Sequence, residues 1–254
     1  MIEDLQGKVV LITGAGTGIG ASAARAFGVN RSRIVVHYNQ SAGPAQQVVA
    51  DIKASGGDAI ALQGDVMDTR TIKSLVDTTV RTFGRIDILI NNAGDLVKRL
   101  PIDEMTDEYF DHVVHLNVRS MIAACREAVP HMRKQGGGNI INVTSVAARS
   151  GGGPGAVLYA GSKGFVSTAT HGLAKELVKD NIRVNAVAPG VVVTPFHDRH
   201  SSEEQLEGFR AGIPMHRLGT PDECAGAFLF LASDQMSAYG TGQIIEVNGG
   251  QLMP

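Results

Sequence analysis

Short β-rich runs alternate with longer helical stretches along this chain of 254 residues, and the first such pair is joined by a turn with glycine at 14, 16, 18 and 20. Such alternation points to a parallel sheet, because parallel neighbours need a crossover, and the crossover helix packs back on the sheet with a right-handed connection. Lys8–Thr13 (KVVLIT) is a near-continuous apolar run, as a strand covered on both faces requires. Further strands are predicted at Arg33–Tyr38, Asp58–Gly64, Ile86–Asn91, Asn139–Thr144, Ile182–Ala188 and Gln243–Val247. Helices are predicted between them over 19–29, 45–55, 69–83, 158–179 and 221–233. Thr106 is placed to cap a long helix running to about Lys134, which Pro130 should bend or shorten. The stretch from Val191 to Gly219 is rich in His, Pro and polar residues and reads as an irregular or short-helical excursion. No linker or composition break splits the chain. The expectation is an α/β protein: one doubly wound Rossmann-type domain over residues 1–254, with a mainly parallel seven-stranded sheet flanked by helices. Ligands should sit at the carboxyl ends of the strands, near the switch in strand order.

Composition excludes several classes. The net charge is −2 and no long basic run occurs, so nucleic acid is not the expected partner. No apolar run approaches the ~18 residues that a membrane span needs, and the acidic start Met1–Leu5 lacks a signal-like apolar segment. A cytoplasmic location is the expectation. Cys125 and Cys224 have no metal-ligand spacing and read as reduced thiols packed as small hydrophobes.

The glycine turn bears on ligand chemistry. Glycines let backbone approach a pyrophosphate, and the following helix offers free N–H groups and the positive end of its dipole. Gly14, Gly18 and Gly20 fit this better than a strict G-x-G-x-x-G, and no Gly-Lys-Ser/Thr follows to make a phosphate P-loop. The second strand ends in His37-Tyr38-Asn39-Gln40-Ser41, without the carboxylate that an NAD site uses to bind the ribose 2′-hydroxyl. Neutral donors at Asn39 and Ser41 favour NADP(H), with Arg33 nearby in sequence; NAD(H) is the alternative.

Chemistry points to the other end of the chain. Tyr159 and Lys163 lie four apart in a predicted helix and so share a face. A nearby ammonium should lower a phenol pKa that is ordinarily near 10. Ser145 directly follows the fifth predicted strand, at the edge where ligands bind. A serine hydrolase would want G-x-S-x-G, whereas Ser145 sits in VTSVA.

Taken together these residues resemble the short-chain dehydrogenase/reductase family, and within it most resemble the 3-oxoacyl-(acyl-carrier-protein) reductases. The matches are TGAGTGIG at 13–20, Asp65-Val66, NNAG at 91–94, Asn117, Ser145, Tyr159-x-x-x-Lys163, Pro189-Gly190 with Thr194, and VNGG at 247–250. The resemblance implies a nicotinamide-dependent oxidoreductase acting on a carbonyl or secondary alcohol. It implies that Gly14, Thr17, Gly18, Ile19 and Gly20 shape the dinucleotide loop, that Tyr38, Asn39 and Ser41 meet the adenosine ribose, and that Asp65 and Val66 border the adenine. Asn91, Ala93 and Gly94 would line the cofactor's centre, with Asn91 against the ribose; Pro189, Gly190, Val192 and Thr194 would hold the carboxamide. Tyr159 would exchange the proton, Lys163 bond the nicotinamide ribose, Ser145 orient the carbonyl, and Asn117 hold a water linking Lys163 to solvent. It also implies a homotetramer, with helices over about 107–134 and 158–179 at one interface.

Gly161 and Gly164 flank Lys163 where the family often has alanine, and suggest close packing against another helix. Substrate contacts are expected from Asp95–Leu100, Val146–Leu158 and a lid over 191–216 containing His197, Arg199, His200 and His216. Those histidines lack metal-like spacing, so no catalytic zinc is expected. Two substrate classes fit, a 3-oxoacyl thioester or small ketone and a sugar or polyol; a non-catalytic cofactor-binding regulator is the third reading, disfavoured by the complete Asn-Ser-Tyr-Lys set.

Overall fold

The structure is a computed structural model that describes residues 1–253; Pro254, the last residue of the expected domain, lies outside them. Seven strands make one sheet: β1 (Val9–Ile12), β2 (Arg33–Tyr38), β3 (Asp58–Gln63), β4 (Ile88–Asn91), β5 (Gly138–Val143), β6 (Ile182–Pro189) and β7 (Ile244–Val247). Their order across the sheet is β3-β2-β1-β4-β5-β6-β7, and each neighbouring pair is parallel. The expected sheet is therefore parallel throughout. The chain enters at mid-sheet, winds outward to β3, and then returns to lay β4 against the other side of β1. The carboxyl ends of β1 and β4 thus diverge into loops that leave in opposite directions, which opens a crevice between them.

Helices cover both faces. On one lie α1 (Gly18–Val29), α2 (Ala42–Ala54) and α10 (Pro221–Ala232); on the other lie α3 (Thr69–Phe83), α5 (Ser120–Lys134) and α7 (Val157–Leu177). The two-residue period of a strand feeds both layers. In β1, Val10 and Ile12 join Phe27, Ile52 and Phe228, while Leu11 joins Ile72, Met121 and Val166. Phe27 and Phe228 are wholly buried, and each such side chain contributes about 1.5–3 kcal/mol of hydrophobic burial.

Two local expectations change, and the short-helical reading of the 191–219 excursion holds. The long fourth helix begins as foreseen, with Thr106 Oγ accepting from Tyr109 N at 3.2 Å. It is interrupted by a π-turn over His115–Arg119, between α4 (Asp107–Val114) and α5. Pro130 neither ends nor shortens α5. The excursion after β6 contains two helices, α8 (Pro195–His200) and α9 (Glu203–Gly212), the second closed by a capping box between Ser202 and Gln205. Two short helices, α6 (Ala147–Ser150) and α11 (Asp234–Ser237), complete the set.

The glycines beside Lys163 do not serve helix packing within the chain. A Cβ on Gly161 would meet nothing within 4 Å, and one on Gly164 would meet only the Ala148 carbonyl, at an ordinary 3.7 Å. Gly161 is exposed in the middle of α7, where glycine costs about 0.8–1 kcal/mol of helix stability relative to alanine. Gly161→Ala should therefore raise Tm by roughly 2–4 °C in thermal unfolding. A lowered Tm would mean that a second copy covers this face of α7.

Candidate active site

The carboxyl ends of the strands open into a cavity of about 560 Å³. Its floor is a seam between the loops that follow β1 and β4. Thr13 Oγ accepts the backbone N–H groups of both Asn92 and Ala93 at 3.0 Å. Asn92 Nδ2 returns two bonds of 2.9 Å, to the carbonyls of Thr13 and Gly14. Four short bonds thus fix the glycine loop relative to the 92–94 loop.

Glycine is required here on steric grounds. Gly14 and Gly18 have φ of +66° and +56°, in the left-handed region. A Cβ on Gly16 would lie 2.3 Å from Ser41 Oγ, and one on Gly20 would lie 2.5 Å from both Asn92 Nδ2 and the Gly14 carbonyl. Helix α1 starts at Gly18 with no side-chain cap from Thr17 and no acidic residue in its first turn, so its leading N–H groups and positive dipole end face the cavity rim unneutralised. Narrow backbone, unused donors and positive potential together fit a dinucleotide phosphate.

His37, at the end of β2, supports the same loop and was not singled out from the sequence. It is 1% exposed. Its Nε2 lies 3.0 Å from the Gly64 carbonyl, which can only accept, so Nε2 carries the proton. Nδ1 is then free to accept the Gly14 N–H at 3.0 Å. Burial lowers its pKa from 6.5, against the Gly64 bond and the charge of Asp65. Asn39, Asp65 and Val66 line the cavity beside it, as do Thr17, Gly18 and Ile19.

Not every anticipated contact is made. Asn91 is buried in the layer behind the cavity, donating to Asn142 Oδ1 at 2.9 Å and Cys125 Sγ at 3.4 Å; the following asparagine, Asn92, is the one that lines the cavity with Ala93 and Gly94. Tyr38 packs against the α1–α2–α10 core, and Ser41 stands behind Gly16 instead of lining the cavity. Gly20, the third residue of α1, does not line the cavity either. Arg33 is the first residue of β2, at the amino edge of the sheet, and supplies no charge to the adenosine end.

The opposite end brings Ser145, Tyr159 and Lys163 to one wall. Lys163 is 4% exposed and its Nζ donates to the Val143 carbonyl, the last of β5, at 2.8 Å. Thr144 Oγ donates to the Lys163 carbonyl at 2.9 Å and meets Ser167 Oγ at 2.7 Å, which clamps α7 to the end of β5. Lys163 Nζ stands 5.8 Å from the centre of the Tyr159 ring, as the four-residue spacing requires. Ser145 Oγ accepts from Ala147 N at 3.1 Å, at the start of α6, and its hydroxyl lies beside the Tyr159 phenol.

The expected lowering of the phenol pKa does not occur in the protein alone. Burial dominates: it pushes Tyr159 up to about 12, with Ser145 opposing, and pulls Lys163 down to about 8, with the Asp95 charge opposing. Each group is driven toward its neutral form because the low-dielectric surroundings penalise charge.

Asn117 sits in the π-turn, a distortion frequent at functional sites. Its amide holds both backbone groups of Asp95, accepting the N–H at 3.0 Å and donating to the carbonyl at 2.8 Å. A Cβ on Gly94 would lie 2.5 Å from Asn117 Oδ1 and 3.1 Å from Lys163 Nζ, so those two polar atoms flank one bare glycine. Pro189, Gly190, Val192 and Thr194 line the remaining side. Gly18 lacks a side chain where Thr194 approaches, since a Cβ there would be 3.3 Å from Thr194 Cγ2.

Helix α8 covers the Tyr159 end. Phe196 lies 5.7 Å from the Tyr159 ring, centroid to centroid. Arg199 and His200 reach back to Asp95, at 3.0 and 2.6 Å.

A family model described as enoyl-(acyl carrier protein) reductase matches residues 14–251. A 3-oxoacyl-(acyl-carrier-protein) reductase of Synechocystis sp. is 40% identical over 249 residues, covering 98% of this chain and 98% of the relative. An L-rhamnose 1-dehydrogenase (NAD(P)(+)) of Sphingomonas sp. is 38% identical over 251 residues, again 98% of both. The solved structure of an NADH-dependent reductase responsible for alginate metabolism has a TM-score of 0.91 at 36% identity, covering 99% of this chain and 100% of that one.

The buried His37 contact has a pH signature. Its folded pKa lies below 6.5, so in the window just below that value the unfolded chain binds more protons. Its contribution to stability is therefore complete above about pH 6.5 and declines as acid is added. Urea unfolding at about pH 7.5 and about pH 5.5 should show a steeper loss for the wild type than for His37→Gln. Equal losses would remove His37 as the acid-sensitive support of the glycine loop.

Proposed function

The chain belongs to the short-chain dehydrogenase/reductase family, oxidoreductases that act on CH–OH and carbonyl groups with a nicotinamide cofactor, and we propose that it reduces a 3-oxoacyl thioester or small ketone with NADPH. The observation that carries this reading is that Ser145, Tyr159 and Lys163 converge on one end of a cavity whose other end is the glycine loop at the α1 amino terminus.

When bound, the dinucleotide would supply the hydride. Of the residues that line the cavity, Gly14, Thr17, Gly18 and Ile19 would hold its phosphates, Asn39, Asp65 and Val66 would border the adenosine, and Asn92, Ala93, Gly94, Gly190, Val192 and Thr194 would enclose the nicotinamide half. Ser145 turns its hydroxyl proton from Tyr159 to a hydrogen bond with the substrate carbonyl, which fixes the oxygen beside Tyr159. As negative charge develops on that oxygen, the Tyr159 hydroxyl transfers its proton to it. A phenol pushed up to about 12 keeps that proton at neutral pH, which is the form reduction needs; alcohol oxidation would need the phenolate. Lys163 binds the cofactor ribose and places positive charge beside Tyr159 as its proton leaves. Asn117 secures the Gly94–Asp95 turn on the far side of Lys163, where a water would return protons from solvent.

NADPH is favoured because no carboxylate stands at the end of β2 to repel a 2′-phosphate, and Asn39 and Thr17 offer neutral donors there. The second reading, oxidation of a sugar with NAD(H), is favoured by the similarity to the rhamnose dehydrogenase. A lid over residues 191–216, carried by α8 and α9, covers the substrate in either case.

Tyr159→Phe should lower kcat by at least about 10²-fold while NADPH binding, followed by its fluorescence, is retained; near-normal turnover would take Tyr159 out of the mechanism. Titration of wild-type protein should give a lower Kd for NADPH than for NADH, and an equal or reversed order would overturn the reading of 37–41. A screen with both cofactors should find reduction of acetoacetyl thioesters or small ketones, whereas turnover of sugars alone would select the second reading.

A further inference from the structure

The cavity contains two cations that the mechanism above does not use, and only one of them lacks a counter-ion. Four charged residues line it: Asp65 at the end beside the glycine loop, Lys163 beside Tyr159, Arg99 in the 95–100 loop and Arg199 on α8. Arg199 is neutralised by Asp95, at 3.0 Å. Arg99 forms no ion pair among the described residues. Its Nε donates to the His200 carbonyl of the lid at 2.9 Å, and one terminal nitrogen donates to the Pro154 carbonyl at 3.0 Å. The other terminal nitrogen has no protein acceptor among the described residues.

These two backbone acceptors hold the guanidinium in place. The loop carrying Pro154 closes directly on Arg99: Leu100 N donates to the Gly155 carbonyl at 3.1 Å, and a Cβ on Gly155, whose φ is +72°, would come within 3.0 Å of Arg99 Cβ. Arg99 is therefore fixed between the 95–100 loop, the 150–155 loop and the lid, the three segments that enclose the space beyond Ser145 and Tyr159. Its neighbour His197 adds no competing charge, since burial, then the charges of Arg99 and His200, push that imidazole down to about 4. A half-buried guanidinium with open donors and no counter-ion is a built acceptor for an oxyanion.

We propose that Arg99 binds an acidic group on the substrate, so that the preferred substrate is an oxo acid: a ketone held by Ser145 and Tyr159 whose carboxylate reaches Arg99. This rests on the carbonyl-reducing role assigned above and names the substrate class for it. The carboxylate is unchanged in the reaction. The ketone carbon takes the hydride, its oxygen takes the Tyr159 proton, the ketone becomes a secondary alcohol, and the dinucleotide leaves oxidised.

The test compares levulinate with methyl levulinate, which differ in the charge at one end, on wild-type protein with NADPH and with NADH. Wild type should favour the acid in kcat/KM by about tenfold or more, the worth of a charge-assisted hydrogen bond. Arg99→Gln should abolish that preference, Arg99→Lys should keep part of it, and Arg99→Glu should reverse it. An equal or inverted preference in wild type would overturn the proposal. So would a parallel fall for both substrates in Arg99→Gln, which is what a residue that only staples the loops would give. If wild type reduces neither ketone, the carbonyl-reducing reading fails instead. Calorimetry of valerate binding to the protein with NADPH then decides the anion site: weaker binding to Arg99→Gln sustains it, and equal affinity in the two proteins overturns it.

Discussion

A buried ammonium without a carboxylate partner is the most demanding feature of this molecule, and much of the surrounding structure is arranged to hold it. Lys163 is almost wholly enclosed and donates one hydrogen bond to the Val143 carbonyl. A charge in that position is costly unless hydrogen-bonded, which is why burial weakens its hold on the proton. The position also depends on the clamp from Thr144 to the Lys163 carbonyl, which sets the height of α7 over the end of β5. A parallel sheet supplies the platform, because all seven strands end on the same edge and their last carbonyls can converge on one site.

The fold was legible in the sequence because its central strands β1, β4 and β6, buried along their whole length, are short and mainly apolar runs separated by helical stretches. Local disruptions were not. The π-turn at His115–Arg119 leaves no mark in the residue pattern, and Pro130, which should break a helix, sits inside α5 without ending it. The lid helices lack an apolar face long enough to show a period, although Ser202 and Gln205 form a capping box that a closer reading of S-S-E-E-Q would have found.

Two of the departures at the site share one physical origin. Successive residues of a strand face opposite sides, so a one-residue uncertainty at a strand end exchanges core for cavity. Tyr38 was expected at the cofactor, and His37 is the residue that lines the cavity; Asn91 was expected at the cofactor, and Asn92 is the one that lines it. In both pairs the neighbouring residues are chemically plausible, and only contacts distant in sequence separate them. Gly14 and Gly64 fix His37, and Cys125 and Asn142 draw Asn91 away. Roles set by such contacts cannot be read from local order. The proximity of Tyr159 and Lys163 could be, because a four-residue helical spacing determines it by itself.

The same distinction separates the two ends of the cavity. The dinucleotide end is built from backbone and from the absence of side chains, so sequence motifs report it well: Gly14, Gly16, Gly18 and Gly20 each have a steric or conformational reason to lack a Cβ. The substrate end is built from long side chains anchored across three loops. Arg99 reaches the lid and the 150–155 loop through backbone carbonyls, and Asp95 is held by Asn117 on one side and by Arg199 and His200 on the other. Asn117 thereby joins the two networks. The amide that borders Lys163 across Gly94 also orients the turn carrying Asp95, so the anchoring of α8 and the surroundings of Lys163 are linked through one side chain.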